Sequence, residues 1–368
     1  MRTNNVLGIL YSNSYDEALP ELTSLRTMGS VPFGGRYRMI DFALSSMVRA
    51  GITKVGVITK ANYRSLMDHL GMGKSWDLAR KHEGLIFLPP YVGAGTGGNQ
   101  TRMEGLWSAL EFLGNSKEEL VIMSDCNAVC NLDYQKILQA HRKSDADITI
   151  ACRRGPAPNL RSMRLQLDET GRAQEISVSG EPAADALYSL NIFVLRKDLL
   201  ERLARDANSQ GLGDYEIFQR HAGALDIRGL EITGWARVVD GLQSYYDAHM
   251  ELLRPEARRA LFQPEQPVLT KVQDDMPALY GLHSKASNCL VADGCQIRGC
   301  VENSVLFRGV AVEEGAQVHN CVLMQGTRVG AGAILECVIS DKAVEIRPGR
   351  TIIGTPGYPI YLGKRIVV

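Results

Sequence analysis

The residues best suited to chemistry are acids and arginines grouped near the ends of short apolar runs. Asp16 and Glu17 close the segment Tyr11-Ser12-Asn13-Ser14-Tyr15-Asp16-Glu17, which follows the strand-like run Val6 to Leu10. Asp125 follows a second run, Leu120 to Ser124, in Ser124-Asp125-Cys126-Asn127. Carboxylates in such loops can hold a divalent cation together with phosphate oxygens. Cradling the phosphates themselves takes glycines that let backbone amides approach, and the first loop has none. Its two adjacent carboxylates also oppose a polyphosphate. Cations lie elsewhere: Arg26, Arg36 and Arg38 flank or lie within the segment Ser30 to Phe42, and Arg308 lies far along the chain. Guanidinium forks suit phosphate groups, while solvated or inter-domain ion pairs are the plainer use of the same residues. Cys126 and Cys130 have no further Cys or His ligands beside them, which argues against a zinc site.

The elements that must position these residues have two textures. Up to about residue 250, apolar runs such as Lys54 to Thr59 and Leu120 to Ser124 alternate with helical patterns such as Ala43 to Ala50 and Glu104 to Leu113. This alternation predicts an α/β domain, a Rossmann-like, mostly parallel sheet with helices on both faces. Ligands of such sheets bind beyond the carboxyl ends of the strands. The loops to watch are those after Leu10, Thr59 and Ser124. A linker is expected over 251–286, including the polar, proline-containing stretch Arg254 to Pro277.

Over 287–368 short valine-centred patches recur at a step of 17 residues: Val310, Thr327 and Val344; Val312, Val329 and Ile346; Gly315, Gly332 and Gly349; Val318, Leu335 and Ile352. A second echo runs through Ser304-Val305-Leu306, Cys321-Val322-Leu323 and Cys337-Val338-Ile339. Apolar positions fall about six apart within a coil, so each turn holds short strands on three faces, which is a parallel β-helix. The glycines fit corners that need positive φ. Cys321 and Cys337 read as stacked small hydrophobes.

The bulk composition excludes more than it selects. A chain of 368 residues suits two domains, and 41 basic against 41 acidic residues imply neither a nucleic-acid nor a membrane-surface partner. No apolar run is long enough to span a bilayer, and Met1 to Asn5 opens no secretory pattern. Eight cysteines are too sparse for a disulfide framework, so reduced thiols and a cytoplasmic location are expected.

Together these motifs resemble the glucose-1-phosphate adenylyltransferase (ADP-glucose pyrophosphorylase) family. Val31 to Phe42, Val-Pro-Phe-Gly-Gly-Arg-Tyr-Arg-Met-Ile-Asp-Phe, is similar to the family's V-P-F-G-G-K-Y-R-I-I-D-F. Trp76-Asp77-Leu78, Leu88-Pro89-Pro90-Tyr91, Gly97-Gly98-Asn99, Tyr188 to Val194 and Leu242 to Tyr246 follow in family order. The chain resembles the GlgD-type regulatory subunits most, paralogues that partner a catalytic subunit in the glycogen synthesis of some Gram-positive bacteria. The resemblance implies a nucleotidyltransferase-like domain over 1–250 and a left-handed β-helix of hexapeptide type after the linker.

The resemblance also implies where the reaction would occur, and there the chain departs from the pattern. The family joins ATP and glucose 1-phosphate into ADP-glucose and pyrophosphate. Its loop G-G-x-G-x-R-L is replaced by Tyr11 to Glu17, and its K-P near the entrance by Met28-Gly29. The aromatic residue of N-W-Y-R becomes Gln100 in Asn99-Gln100-Thr101-Arg102. Of two metal carboxylates, Asp125 persists, as a relic or an Asx-type cap, and the other becomes Val238, with Asp240 two residues on. The sugar-phosphate lysine of E-K-P becomes Gly180, while Ser189 remains. Arg26, Arg36, Arg38 and Arg308 match positions that resemble the family's effector site. The expectation is a regulatory, non-catalytic subunit that holds no metal or cofactor itself; Mg²⁺ and ATP would serve a catalytic partner in a hetero- or homo-tetramer, and a phosphorylated effector could bind. The alternatives are an active adenylyltransferase with an atypical loop and, remotely, a hexapeptide acyltransferase, for which the β-helix offers only His319 as a base, His283 lying just before it.

Overall fold

The computed structural model describes residues 5–368 apart from 82, 90–101, 159–161, 179–184 and 213. The sequence expectations at Gln100 and Gly180 lie outside the described residues.

The apolar run Val6–Tyr11 is the centre of a nine-stranded sheet. It pairs in parallel with Lys54–Ile58 on one side and Leu120–Asp125 on the other, and Lys54–Ile58 continues to Gly84–Leu88. The long strand Ala186–Arg196 runs antiparallel to Leu120–Asp125 and Ile148–Gly155. Alternate side chains leave a strand on opposite faces, so Val6 and Leu10 enter one apolar cluster and Leu7 and Ile9 the other. Helices Met39–Arg49 and Tyr134–Ser144 cover the first face; Arg102–Ser108 and Lys197–Gln210 cover the second. A sheet apolar on both faces has its loops free only at strand ends, which is where the acids lie.

The C-terminal part is a left-handed β-helix of three parallel sheets, each with five short strands. Gly315, Gly332 and Gly349 take φ of 73, 68 and 69°, as the corners require. Through the middle coils the step is 17 residues on all three faces, against 15 in most of the first pairings and 22 in the last pairing of one face, which corrects the second echo. Val322 pairs with Ile339, so Cys321 is level with Val338, and Cys337 occupies the left-handed corner held by Asn303 and Asn320 in preceding coils. Both thiols are buried.

The boundaries also differ from those read in the sequence. Helix Leu242–Leu252 crosses position 250, and helix Pro255–Leu261 fills the start of the expected linker. Strands Leu279–Tyr280 and Lys285–Ser287 already form the first coil. That coil is short of inward valines, so its periodicity is weak. The two parts share one apolar cluster, in which Phe33, Phe42, Tyr245 and Leu252 meet Val305, Phe307, Val322 and Met324.

Candidate functional site

Two places gather charged groups. The first lies beyond the carboxyl ends of Val6–Tyr11 and Leu120–Asp125, whose last residues are register partners. Asp125 is buried there and meets Arg102, from the start of helix Arg102–Ser108, as an ion pair through both carboxylate oxygens. Arg102 Nε donates to Oδ1 at 2.8 Å and Ser14 Oγ donates to the same oxygen at 3.0 Å. The guanidinium carbon lies 5.6 Å from the Tyr15 ring centroid and 5.3 Å from that of Tyr215. The phenol oxygens of Tyr15 and Tyr215 are 2.6 Å apart, and Asn191 Nδ2 donates to Tyr15 Oη at 3.0 Å. Burial alone would lower the Arg102 pKa, but Asp125 and the two phenols hold it above its ordinary value. Asp125 is therefore an ion-pair partner of Arg102.

The rest of the loop is filled from within. Asp16 Oδ1 accepts from Met28 N at 2.7 Å and Oδ2 from Asn13 Nδ2 at 2.6 Å, while burial pushes the Asp16 carboxyl up to about 7. Met28 is fully buried. Ser189 Oγ accepts from Asn191 N at 2.9 Å, at the bulge where Ala186–Arg196 slips register. Val238 ends the short strand Ala236–Val238 opposite Ala128 and offers no oxygen ligand from its side chain. The residues present do not fit the Mg²⁺ that the resemblance implies for the reaction: Asp125 is engaged by a guanidinium, and its expected companion is a valine. Among the described residues no group of three or more His, Cys, Asp or Glu side chains could hold a metal ion.

The second place is a cleft where the domains meet, lined by Arg36, Arg38, Lys271, Arg308 and Lys342, with His69 beside them. Arg38 stands at the start of helix Met39–Arg49 because its backbone N–H donates to Asp41 Oδ2 at 2.9 Å, a capping contact. Its Nη1 donates to Ser65 Oγ at 2.7 Å, and burial lowers its pKa to about 10. Arg308 is 7% exposed, and its Nε and Nη2 are buried without a hydrogen-bond partner among the described residues. Its nearest carboxylate, Asp275, is 4.0 Å away. Burial, then Arg38 and Arg26, lower the Lys342 amine to about 7. Buried cations grouped together, with Arg308 donors unmet, give the cleft a positive potential.

Three of the four expected effector arginines share this cleft; Arg26 does not. Its Nη2 lies 2.7 Å from both carboxylate oxygens of Asp341, both side chains 3% exposed, so it ties the α/β domain to the β-helix. Asp341 sits on a coil corner at sequence distance 315, and nothing local to Arg26 announces the pairing. Lys342 and Lys271 were missed for the same reason. In the sequence Arg102 stands out only as part of Asn99 to Arg102, and Tyr15 and Tyr215 carry no motif. His319 lies on the outside of its coil, 3.5 Å from Glu302.

Comparison with known proteins agrees with this geometry. Residues 17–210 match the family model described as Nucleotidyl transferase, and residues 276–356 the one described as GlmU-like, C-terminal hexapeptide. The chain is 36% identical to the glycogen biosynthesis protein GlgD of Bacillus subtilis, over 100% of this chain and 98% of that protein. It is 34% identical to GlgD of Geobacillus stearothermophilus, over 86% and 83% of the two chains. It is 32% identical to the glucose-1-phosphate adenylyltransferase of Pseudothermotoga lettingae, over 85% and 76%. A nucleotidyltransferase domain joined to a hexapeptide β-helix, matched along nearly its full length, belongs to the family that holds the GlgD glycogen biosynthesis proteins and the glucose-1-phosphate adenylyltransferases.

Proposed function

We propose that this chain is a regulatory, non-catalytic subunit of a glucose-1-phosphate adenylyltransferase in bacterial glycogen biosynthesis, acting on a catalytic paralogue within a tetramer. The observation that carries this reading is the contrast between its two charged places. At the strand ends, the groups that would neutralise a triphosphate and hold Mg²⁺ are replaced by Asp16, Val238 and an ion pair at Asp125. At the domain junction a cluster of cations, with Arg308 donors unmet, supports binding of a phosphorylated effector.

The chemistry of the family is positioning and charge neutralisation around the α-phosphorus. Losing several such groups together costs many decades in rate, since each supplies several kcal/mol, on the order of 3. A chain without that chemistry influences a partner only through contacts that differ between the partner's states. The shared cluster of Phe33, Tyr245, Val305 and Phe307, with the Arg26–Asp341 ion pair, supports reading the two domains as one body through which such contacts act.

The test is turnover of ATP and glucose 1-phosphate by the purified chain, free of any catalytic subunit. Negligible turnover is expected. Turnover at an ordinary enzymatic rate would return the chain to the catalysts, with an atypical nucleotide loop.

A further inference from the structure

In the strand-end cluster the remaining carboxylate is held by a guanidinium, at the place where a metal site would leave it free. We propose that Asp125 keeps a cation-binding role, and that the Arg102 guanidinium is its resident cation, closing the pocket between the ends of Val6–Tyr11 and Leu120–Asp125 to exogenous metal and nucleotide. The inference rests on reading that pocket as the family's substrate side, and does not depend on how a partner is regulated.

The geometry carries it. A guanidinium fork on both oxygens of Asp125, with Ser14 Oγ at 3.0 Å on one of them, supplies charge compensation and hydrogen bonds to the carboxylate. Tyr15 and Tyr215 place their rings about the guanidinium, at 5.6 and 5.3 Å from its carbon, and join through their hydroxyls at 2.6 Å. Tyr15 comes from the loop after the central strand, at a left-handed φ of 66°. Tyr215 comes from helix Asp214–His221. Asn191 ties Tyr15 to the strand Ala186–Arg196 at 3.0 Å. Three separate segments thus converge on one cation, and a fourth braces Tyr15, where a substrate pocket would need open space and a metal would need free carboxylate oxygens. The two ring faces add cation–π attraction to the ion pair, so the guanidinium is held by more than its carboxylate.

The cavity left by truncating Arg102 should therefore accept a cation of the same shape. In full-length Arg102→Ala, the melting temperature is expected to fall by several degrees, because buried Asp125 loses the counter-charge of Arg102. Ethylguanidinium at low concentration should restore part of that loss. The same addition should do nothing for the wild type or for Arg102→Ala with Asp125→Asn. Electron paramagnetic resonance of Mn²⁺ with the wild-type chain, with and without ATP, should show no Asp125-dependent uptake. Asp125-dependent Mn²⁺ uptake by the wild type overturns the proposal, and so does an Arg102→Ala protein indifferent to ethylguanidinium. Should that variant fail to fold, Arg102→Ser, which leaves nearly the same cavity, is read by the same two outcomes. Neither result bears on whether the chain changes a partner's kinetics, so the two claims fail separately.

Discussion

At the residue scale, the chain keeps an acid and holds it in an ion pair. Asp125 paired with Arg102 cannot serve as half of a metal site, so restoring the other half does little. Val238→Asp alone is expected to leave ATP and glucose 1-phosphate turnover at background, because such sites act as units; a large gain would show that Asp125 is available after all. At the junction, the unmet donors of Arg308 predict that Arg308→Met lowers sulfate affinity roughly 10- to 100-fold, the loss of one or two charge-assisted hydrogen bonds, without loss of thermal stability. Lys342, lowered to about 7 by burial and then by Arg38 and Arg26, is largely neutral in the empty cleft above that pH. A bound anion favours its charged form, so sulfate binding should weaken as pH rises from 7 to about 9. Sulfate keeps its charge across this window, and Lys342→Met should flatten the profile in calorimetry. A profile unchanged by that substitution would remove Lys342 from the site. Little of this was legible in the sequence. The strand-end position of Asp125 could be read, but Arg102 is 23 positions away and the Tyr15–Tyr215 contact spans 200. Pairings at such separations leave no local periodicity.

At the scale of elements, the sequence is most legible where structure repeats. The glycines at 315, 332 and 349 mark the coil corners, and the strand-like apolar run Val6 to Leu10 marks the central strand. The failures have physical causes. Cys337 resembles Cys321 in its following residues, yet it occupies a left-handed corner because the backbone step, and not the local text, sets the register. The expected linker hid helix Pro255–Leu261, whose polar residues masked the buried Ala257 and Leu261. Helix Leu242–Leu252 carries a further consequence. His249 is fully buried beside Phe33, accepts at Nε2 from Gly34 N at 3.1 Å and donates from Nδ1 to Tyr245 O at 2.9 Å. Burial lowers its pKa to about 4. The unfolded chain therefore binds a proton that the folded one refuses between its ordinary pKa and about 4, and stability falls as pH falls through that window. The loss is about 3 kcal/mol by pH 4. Chemical denaturation of the wild type and His249→Gln from pH 7 to 4 should show the difference closing as pH falls; parallel profiles would mean that His249 does not titrate as described.

At the scale of the whole molecule, the fold joins its domains firmly. Arg26 and Asp341 meet at 2.7 Å across the boundary, and Tyr246 Oη donates to Asn320 O at 2.8 Å. Arg26→Ala leaves a buried carboxylate without its counter-charge and should cost about 3–5 kcal/mol. Arg26→Met with Asp341→Asn should recover much of that, as thermal unfolding of the two variants can show. A cleft built on this junction touches both domains, so an anion bound there can bias how they present themselves to another subunit. That is the account's central claim: the chain acts on a partner's chemistry and has none of its own. The most direct measurement is a titration of this purified chain into a purified catalytic paralogue, reading maximal velocity and its dependence on phosphorylated effectors, with complex formation followed by size-exclusion chromatography. The account predicts a mixed oligomer whose velocity or effector response differs from that of the paralogue alone, with the effector component lost in Arg308→Met. A mixture that behaves as the unmixed paralogue, with no complex on the column, would contradict it.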